Sequence, residues 1–198
     1  MKILPLLAIL VLAPGLMSFA ADTAQSKSQP GFAVGQQAPD FAIKDSNGNV
    51  INLADLTAKG PVLVRLTCGC LGCDRELPYF QEVQRAYESQ GLTSLAIFKE
   101  GDAKVEAYVR AKKLNMLYAV DSKGESWTVF KTRKMPTNFL IEQGGRIAAI
   151  AAGCDPSGVT AARISEKAAV LTASATVDVK AKVQSQKAAQ TETNAAAK

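Results

Sequence analysis

Four cysteines are the residues of this sequence best suited to chemistry, and Cys68, Cys70 and Cys73 stand close together. Cys70 and Cys73 form a Cys-x-x-Cys motif after an apolar run at 61–66, which predicts a buried strand, and before a segment with helical apolar spacing. Unpaired N–H groups and the helix dipole stabilise a thiolate at such a helix start. A thiolate is the species that attacks a disulfide, and Cys73, one turn on, can resolve the mixed disulfide. The motif therefore predicts a redox-active dithiol.

The same cysteines also fit a zinc site or a structural disulfide. Zinc could be bound by Cys68, Cys70, Cys73 and Cys154 together, although the first two are only two residues apart. Four cysteines allow three complete disulfide pairings. The sequence does not choose among these pairings.

The sequence contains no histidine, which excludes several functions. A copper site with histidine ligands and a Cys–His protease pair both lack their partner. Attachment of a c-type haem needs a histidine directly after the second cysteine, where this chain has Asp74. The formal net charge is +5, but no basic run carries interleaved aromatic residues. We therefore predict no cofactor, no resident metal and no nucleic-acid partner.

The first twenty residues have the features of a signal peptide. Lys2 precedes an apolar run at 3–12, and small residues at Ser18 and Ala20 suit cleavage between Ala20 and Ala21. A membrane-spanning anchor would need about 20 apolar residues, which is longer than this run. We therefore predict export, to a bacterial periplasm, with no stable membrane span after cleavage of 1–20. Disulfides persist in such oxidising compartments.

Composition divides the mature chain into three parts. Residues 21–34 are polar and predict a flexible leader, and 35–171 have the apolar content of a folded domain. Residues 172–198 are rich in Ala, Lys, Gln and Thr and contain no aromatic residue. Such a composition buries too little apolar surface to offset the entropy of ordering, so it predicts a mostly disordered tail. Its few valines could form only a transient strand or helix.

Strand and helix signals alternate within the domain. Apolar runs at 41–43 and 50–53 flank an Asn-Gly turn, which is a strong hairpin signal. Runs at 137–141 and 146–150 flank a Gly-Gly turn and predict a second hairpin. Helical spacing follows the strands between these hairpins. The pattern predicts an α/β domain with a central mixed sheet, helices on both faces and an N-terminal β-hairpin extension.

These motifs together give the chain a resemblance to a known family. Pro78 lies inside the helix that carries the dithiol, and Met135-Pro136-Thr137 precedes the second hairpin. From about Gly35 to Leu171 the chain resembles the thioredoxin superfamily, in its exported TlpA-like and AhpC/TSA-type branch. The resemblance rests on Gly35-x-x-Ala38-Pro39-Asp40-Phe41, Asp45-x-x-Gly48, Cys70-x-x-Cys73-x-x-Glu76-x-Pro78 and Met135-Pro136-Thr137-x-Phe139-Leu140-Ile141-x-x-x-Gly145-Arg146-Ile147.

The resemblance implies a role for each residue of the motif. Cys70 would be the nucleophile and Cys73 the resolving thiol. Pro136 would be the cis-proline that lies against the disulfide and presents backbone to a substrate. Glu76 matches a carboxylate that relays protons or tunes the thiol pKa in the exported branch, although an exposed first-turn glutamate is an equal alternative. The substrates would be protein dithiols and disulfides or small thiols, with a redox partner in the exported compartment.

The sequence also departs from the family pattern. Gly69 stands where an aromatic residue usually precedes the first cysteine, and Leu-Gly separates the two cysteines. The buried acid of the preceding strand is replaced by Val64 or Arg65, depending on the alignment. These changes leave the redox potential and the partners open.

Two cysteines are additional to the motif. The strand at 137–141 starts beside the predicted active site, and an antiparallel strand at 146–150 returns to the same edge. Cys154 is therefore predicted at the active-site end of the sheet. It could pair with Cys68 as a structural disulfide, or pass a disulfide to Cys70, and two unlinked thiols are the third possibility.

Three functions remain after these considerations. The first is an exported thiol–disulfide oxidoreductase that acts through Cys70 and Cys73. The second is a peroxiredoxin-like thiol peroxidase with antioxidant activity, because Thr67-x-x-Cys70 resembles the peroxidatic motif, although Leu63 replaces its proline. The third is a non-catalytic binding protein of the same fold, with structural cysteines or with cysteines that hold copper(I) on soft thiolates.

Overall fold

A computed structural model describes residues 31–196. The predicted signal peptide at 1–20 and residues 21–30 of the predicted leader lie outside the described residues. The strands are β1 (Ala42–Lys44), β2 (Val50–Asn52), β3 (Val62–Thr67), β4 (Thr93–Phe98), β5 (Leu117–Val120), β6 (Thr137–Ile141) and β7 (Ile147–Ala152). The helices are α1 (Leu53–Lys59), α2 (Leu71–Tyr87), α3 (Asp102–Lys112), α4 (Glu125–Val129), α5 (Val159–Leu171) and α6 (Val179–Ala196).

Five strands form the central mixed sheet in the order β5-β4-β3-β6-β7. The pairs β3–β4 and β4–β5 are parallel, whereas β6 is antiparallel to both β3 and β7. The connections through α2 and α3 step in the same direction along the sheet, so right-handed crossovers place both helices on one face. The fold is thioredoxin-like, as predicted, with β1 and β2 as a separate N-terminal hairpin.

Two apolar layers hold the sheet between its helices. Helices α2, α3, α5 and α6 cover one face, where Phe80, Val83 and Tyr87 of α2 are fully buried. The N-terminal hairpin, α1 and α4 cover the other face, where Phe130 and Phe139 pack with their ring centroids 5.0 Å apart. Every residue of β3 is buried because this strand is central and covered on both faces.

Both predicted hairpins are confirmed. In the first, Ala42 pairs with Asn52, and the turn contains Gly48 at a φ of +84°, which favours glycine. In the second, β6 and β7 are joined by a turn that includes Gly144 and Gly145, also at positive φ. The last helix of the predicted domain, α5, begins at Val159.

The C-terminal segment differs from the prediction of a mostly disordered tail at 172–198. Residues Val179–Ala196 form α6, which packs against α2 and α5. Val179 and Val183 lie one turn apart and are both almost completely buried in the apolar layer beneath α2. Two well-placed valines anchor a helix whose overall composition is polar.

Charge complementarity also stabilises α6. The carboxylate of Glu82 on α2 is buried, and Lys182 and Gln186 of α6 reach its oxygens at 3.3 Å each. The ammonium group of Lys187 lies 5.2 Å from the ring centre of Tyr79, within reach of a cation–π contact. The polar residues of the segment therefore have partners on α2, which explains an ordered helix where composition alone indicates disorder.

No helix among residues 31–196 is both long enough and apolar enough to cross a membrane.

Candidate active site

Four chain segments meet at one edge of the sheet. Strand β3 ends at Thr67, and α2 begins four residues later at Leu71. Thr137, the first residue of β6, pairs with Ala152 at the end of β7, and Leu66 of β3 pairs with Thr137. This register brings together the loop that carries Cys68 and Cys70, the start of α2, the start of β6 and the segment after β7.

Three thiols converge in this place. The Sγ atoms of Cys68 and Cys70 lie 2.7 Å apart, those of Cys68 and Cys73 lie 3.5 Å apart, and those of Cys70 and Cys73 lie 3.6 Å apart. Cys70 is exposed, Cys68 is half-buried, and Cys73 is only 2% exposed. The sulfurs therefore run from the surface into the protein, with Cys70 the outermost. We call these three residues the thiol cluster.

Two thiols of the cluster, Cys68 and Cys70, differ in acidity. A hydrogen bond from the Cys68 thiol, followed by backbone N–H groups of α2, lowers the pKa of Cys70. Burial, with the hydrogen bond to Cys70, raises the pKa of Cys68 to about 12. Cys70 is the N-cap residue of α2, where the helix dipole favours negative charge. Cys70 is therefore the exposed thiol of the cluster that is best stabilised as a thiolate.

The prediction that Cys154 lies at the active-site end of the sheet is confirmed. Its thiol donates a hydrogen bond to the carbonyl of Gly72 at 3.0 Å, and the side chain is exposed. A Cβ atom on Gly72 would lie 3.1 Å from the Cys154 sulfur, so the close approach suits glycine. Burial of the sulfur, with Glu76 nearby, raises the pKa of Cys154. Cys154 is thus a second exposed thiol, but its pKa is raised, whereas the pKa of Cys70 is lowered.

Beneath the thiol cluster lies a buried ion pair. Arg65 of β3 and Glu76 of α2 are each 1% exposed, and their charged groups lie 2.7 Å apart. Arg65 also donates to the side-chain oxygen of Asn138 at 2.8 Å and reaches the carbonyl of Cys73 at 3.4 Å. Its guanidinium group stacks over Phe80, 4.4 Å from the ring centre. Strand β3 thus carries a buried base whose charge is neutralised by a carboxylate of α2.

Glu76 is therefore not the exposed first-turn glutamate of the alternative interpretation. Its second carboxylate oxygen accepts a hydrogen bond from the backbone N–H of Asp155 at 2.7 Å. Because Asp155 follows Cys154, this bond ties the segment after β7 to α2. The carboxylate of Asp155 accepts N–H bonds from Ser157 and Thr160. Burial alone would raise the pKa of Asp155, but these bonds lower it to about 2.

A second polar group flanks the cluster on the side of α3. Tyr108 donates to the carboxylate of Asp74 at 3.1 Å, and Lys112 reaches the same carboxylate at 2.8 Å. Burial, with the charge of Asp74, raises the pKa of Tyr108. The ring of Tyr108 lies against Gly69, where a Cβ atom would be 3.4 Å from Cδ2. Tyr108 therefore supplies from α3 an aromatic surface close to the position where the family has an aromatic residue.

The peptide bond between Met135 and Pro136 is cis, as the resemblance implied. The carbonyl of Pro136 accepts the N–H of Gly153 at 2.8 Å, and Thr137 donates its hydroxyl to the carbonyl of Lys134 at 2.7 Å. These bonds fix the loop before β6 against the end of β7.

The sequence alone did not indicate the Arg65–Glu76 pair or the contacts of Tyr108. The available signal for the ion pair was an arginine within an otherwise apolar strand, because a buried charge needs a partner. Tyr108 carried no such signal, since an aromatic residue in a helix usually belongs to the core.

Comparisons with known proteins show the family of this chain. The sequence model of the AhpC/TSA family matches residues 34–150. The thiol-disulfide oxidoreductase ResA of Geobacillus thermodenitrificans is 32% identical over 122 residues, which cover 61% of this chain and 70% of the relative. The protein of the same name from Bacillus cereus is 29% identical over 140 residues, which cover 70% of this chain and 81% of the relative.

Solved structures share the fold. A putative thiol:disulfide interchange protein DsbE from Chlorobium tepidum superposes with a TM-score of 0.64 at 22% identity, over 71% of this chain and 99% of that protein. The peroxidoxin BcpB of Mycobacterium tuberculosis superposes with a TM-score of 0.58 at 18% identity, over 71% of this chain and 96% of that protein. At these identities the likeness concerns the fold alone.

Proposed function

This chain belongs to the AhpC/TSA family and is a thiol–disulfide oxidoreductase, and we propose that it is exported and exchanges disulfides with protein or small thiol substrates through Cys70 and Cys73. One observation carries the assignment of residues. Cys70 is the exposed member of the thiol cluster, it caps α2, and its pKa is lowered. Cys73 stands behind it with its sulfur 3.6 Å away.

The proposed reaction has two steps. The Cys70 thiolate attacks one sulfur of a substrate disulfide, a bond forms between the two sulfurs, and the other substrate sulfur leaves as a thiolate. Cys73 then loses its proton and attacks the Cys70 sulfur, which releases the second substrate thiolate. The substrate gains two electrons and the Cys70–Cys73 pair loses them. The same steps run backwards when the substrate is the dithiol.

The surroundings of the pair support this reaction. The burial of Cys73 protects the resolving thiol from other oxidants, while the exposure of Cys70 leaves the attacking atom accessible. Backbone beside the cis-proline, Pro136, is proposed to pair with an extended substrate in the manner of strand addition. We propose that Glu76 acts as a positioning residue, because its oxygens contact Arg65 and the Asp155 N–H and it is shielded from solvent.

A thiol peroxidase is the second candidate, because AhpC/TSA proteins share this fold with a peroxidoxin. The peroxidatic arrangement would need the hydroxyl of Thr67 to face the Cys70 sulfur. That hydroxyl instead donates to the carbonyl of Cys68 at 3.2 Å. This contact favours disulfide exchange over peroxide reduction.

Reduction of the disulfides of insulin by the protein, with dithiothreitol as electron donor, tests the proposal. We expect the mature chain to accelerate precipitation of the insulin B chain, and Cys70→Ser to abolish the acceleration. Cys154→Ser is the matched control, because it also replaces an exposed thiol but leaves the proposed pair complete. Peroxide consumption that exceeds disulfide reduction, or full activity of Cys70→Ser, would contradict the assignment.

A further inference from the structure

We propose that the reduced thiol cluster binds one copper(I) ion, with Cys68, Cys70 and Cys73 as its three ligands. This binding activity goes beyond disulfide exchange and gives a function to Cys68. Neither proposed step of the exchange reaction requires that residue as a sulfur donor.

The geometry suits a three-coordinate ion. All three Sγ atoms lie within 4.8 Å of one another. Three sulfurs at a metal–sulfur distance of about 2.3 Å, arranged in a plane around one ion, stand about 4 Å apart. The separations of 2.7, 3.5 and 3.6 Å are shorter, so the thiols need only to spread modestly to admit the ion. Gly69, between two of the ligands, gives the loop the freedom to do so.

The donor atoms select a soft cation. The cluster offers sulfur alone, and soft thiolates select copper(I) and zinc among the ions available to proteins. The nearest carboxylate in sequence, Asp74, is engaged by Tyr108 and Lys112. Structural zinc takes four ligands, but the fourth cysteine, Cys154, donates its thiol to the carbonyl of Gly72 instead. Three sulfurs without a fourth donor fit copper(I) better than zinc.

The site is accessible, and its charge is partly offset. The exposed Cys70 sulfur gives an ion a path of entry, while the buried Cys73 removes one side of the ion from water. Copper(I) with three thiolates carries a net charge of −2. The N-terminus of α2 lies at the cluster, where the helix dipole places positive charge beside the thiolates.

Binding involves no electron transfer. Three thiols release three protons as copper(I) forms three sulfur bonds, and the ion keeps its oxidation state. The oxidised Cys70–Cys73 pair has lost two of the three ligands, and the loaded protein has lost its free nucleophile. Copper(I) binding and disulfide exchange therefore exclude each other.

The test is an anaerobic titration of the fully reduced mature protein with copper(I), in competition with a chromophoric copper(I) chelator. We expect one equivalent to be retained by the protein and X-ray absorption to report three sulfur neighbours. Cys68→Ser should leave two sulfur neighbours and weaken binding at least tenfold. Cys154→Ser, the matched control, should retain three neighbours and the wild-type affinity.

Three results would overturn the proposal. These are two sulfur neighbours in the wild type, an affinity of Cys68→Ser equal to that of the wild type, and equal losses in the Cys68→Ser and Cys154→Ser variants. The titration needs no disulfide substrate, so its outcome is independent of the exchange assay. Cys68→Ser should still reduce insulin, more slowly than the wild type, whether or not copper(I) binds.

Discussion

The two ends of helix α2 have different surroundings and different tasks. At its first turn the helix presents Cys70 to solvent and holds Cys73 above the buried Arg65–Glu76 pair. At its far end Tyr87 is fully buried among apolar side chains, and its hydroxyl pairs with Ser165 at 2.8 Å. One helix therefore carries reactive atoms at one end and the packing of α5 and α6 at the other.

The difference shows why reactivity and stability can be changed separately. Exchange requires an accessible thiolate, whereas packing requires surfaces that exclude water. We therefore expect changes at the sulfurs to alter reactivity with little effect on folding. Changes near α6 should lower stability with little effect on reactivity. The Arg65–Glu76 pair is the exception, because it lies directly beneath the sulfurs and is also part of the core.

Breaking the buried ion pair should have the largest effect on stability. Arg65→Met leaves the Glu76 carboxylate buried without its partner, and we expect the free energy of unfolding to fall by about 3–5 kcal/mol. Urea denaturation measures this change. The double variant Arg65→Met/Glu76→Leu removes both charges and should recover most of the loss. A single variant as stable as the wild type would show that water reaches the pair.

Removal of α6 should have the next largest effect. Deletion of 179–196 exposes the surface that Val179 and Val183 cover, and we expect a loss of about 2–4 kcal/mol. Thermal and urea unfolding measure the loss, and insulin reduction should be unchanged. Deletion of 189–196 is the control, because residues 189–193 are exposed and should contribute little. An unchanged melting temperature after the longer deletion would mean that the helix is not bound in solution.

Apart from the proposed copper(I) site, replacement of Cys68 should have the smallest effect, a change in the acidity of Cys70. The Cys68 thiol is the main cause of the lowered pKa of Cys70, so Cys68→Ala, which removes this hydrogen-bond donor, should raise that pKa. The rate of Cys70 alkylation rises with pH through the pKa. Its midpoint should lie at a lower pH in the wild type than in the variant. Identical midpoints would mean that the helix N-terminus alone stabilises the thiolate.

Local patterns made much of this structure predictable. The two hairpins follow from short turn signals between apolar runs, and the position of Cys154 follows from the antiparallel return of the second hairpin. The helix start at Cys70 follows from a strand signal directly before helical spacing. Each of these inferences needs only residues that are near one another in the chain, or a topology that those residues imply.

The remaining features depend on contacts between distant segments. Arg65 is stabilised by Asn138 and Glu76 together, and only the sheet register brings all three to one place. The order of α6 depends on the buried Glu82, which composition does not reveal. For the same reason the sequence left two alternatives for Glu76, since its helix position is compatible with burial or exposure, and the structure buries it.

Competition between the two exposed thiols tests the central claim most directly. Cys70 and Cys154 are both accessible, but the pKa of the first is lowered and that of the second is raised. Reduced protein at pH 7 would be treated with one-tenth of an equivalent of iodoacetamide, and the label would be located by peptide mass spectrometry. We predict at least ten times more label on Cys70 than on Cys154. Equal labelling, or an excess on Cys154, would contradict the assignment of Cys70 as the attacking thiol.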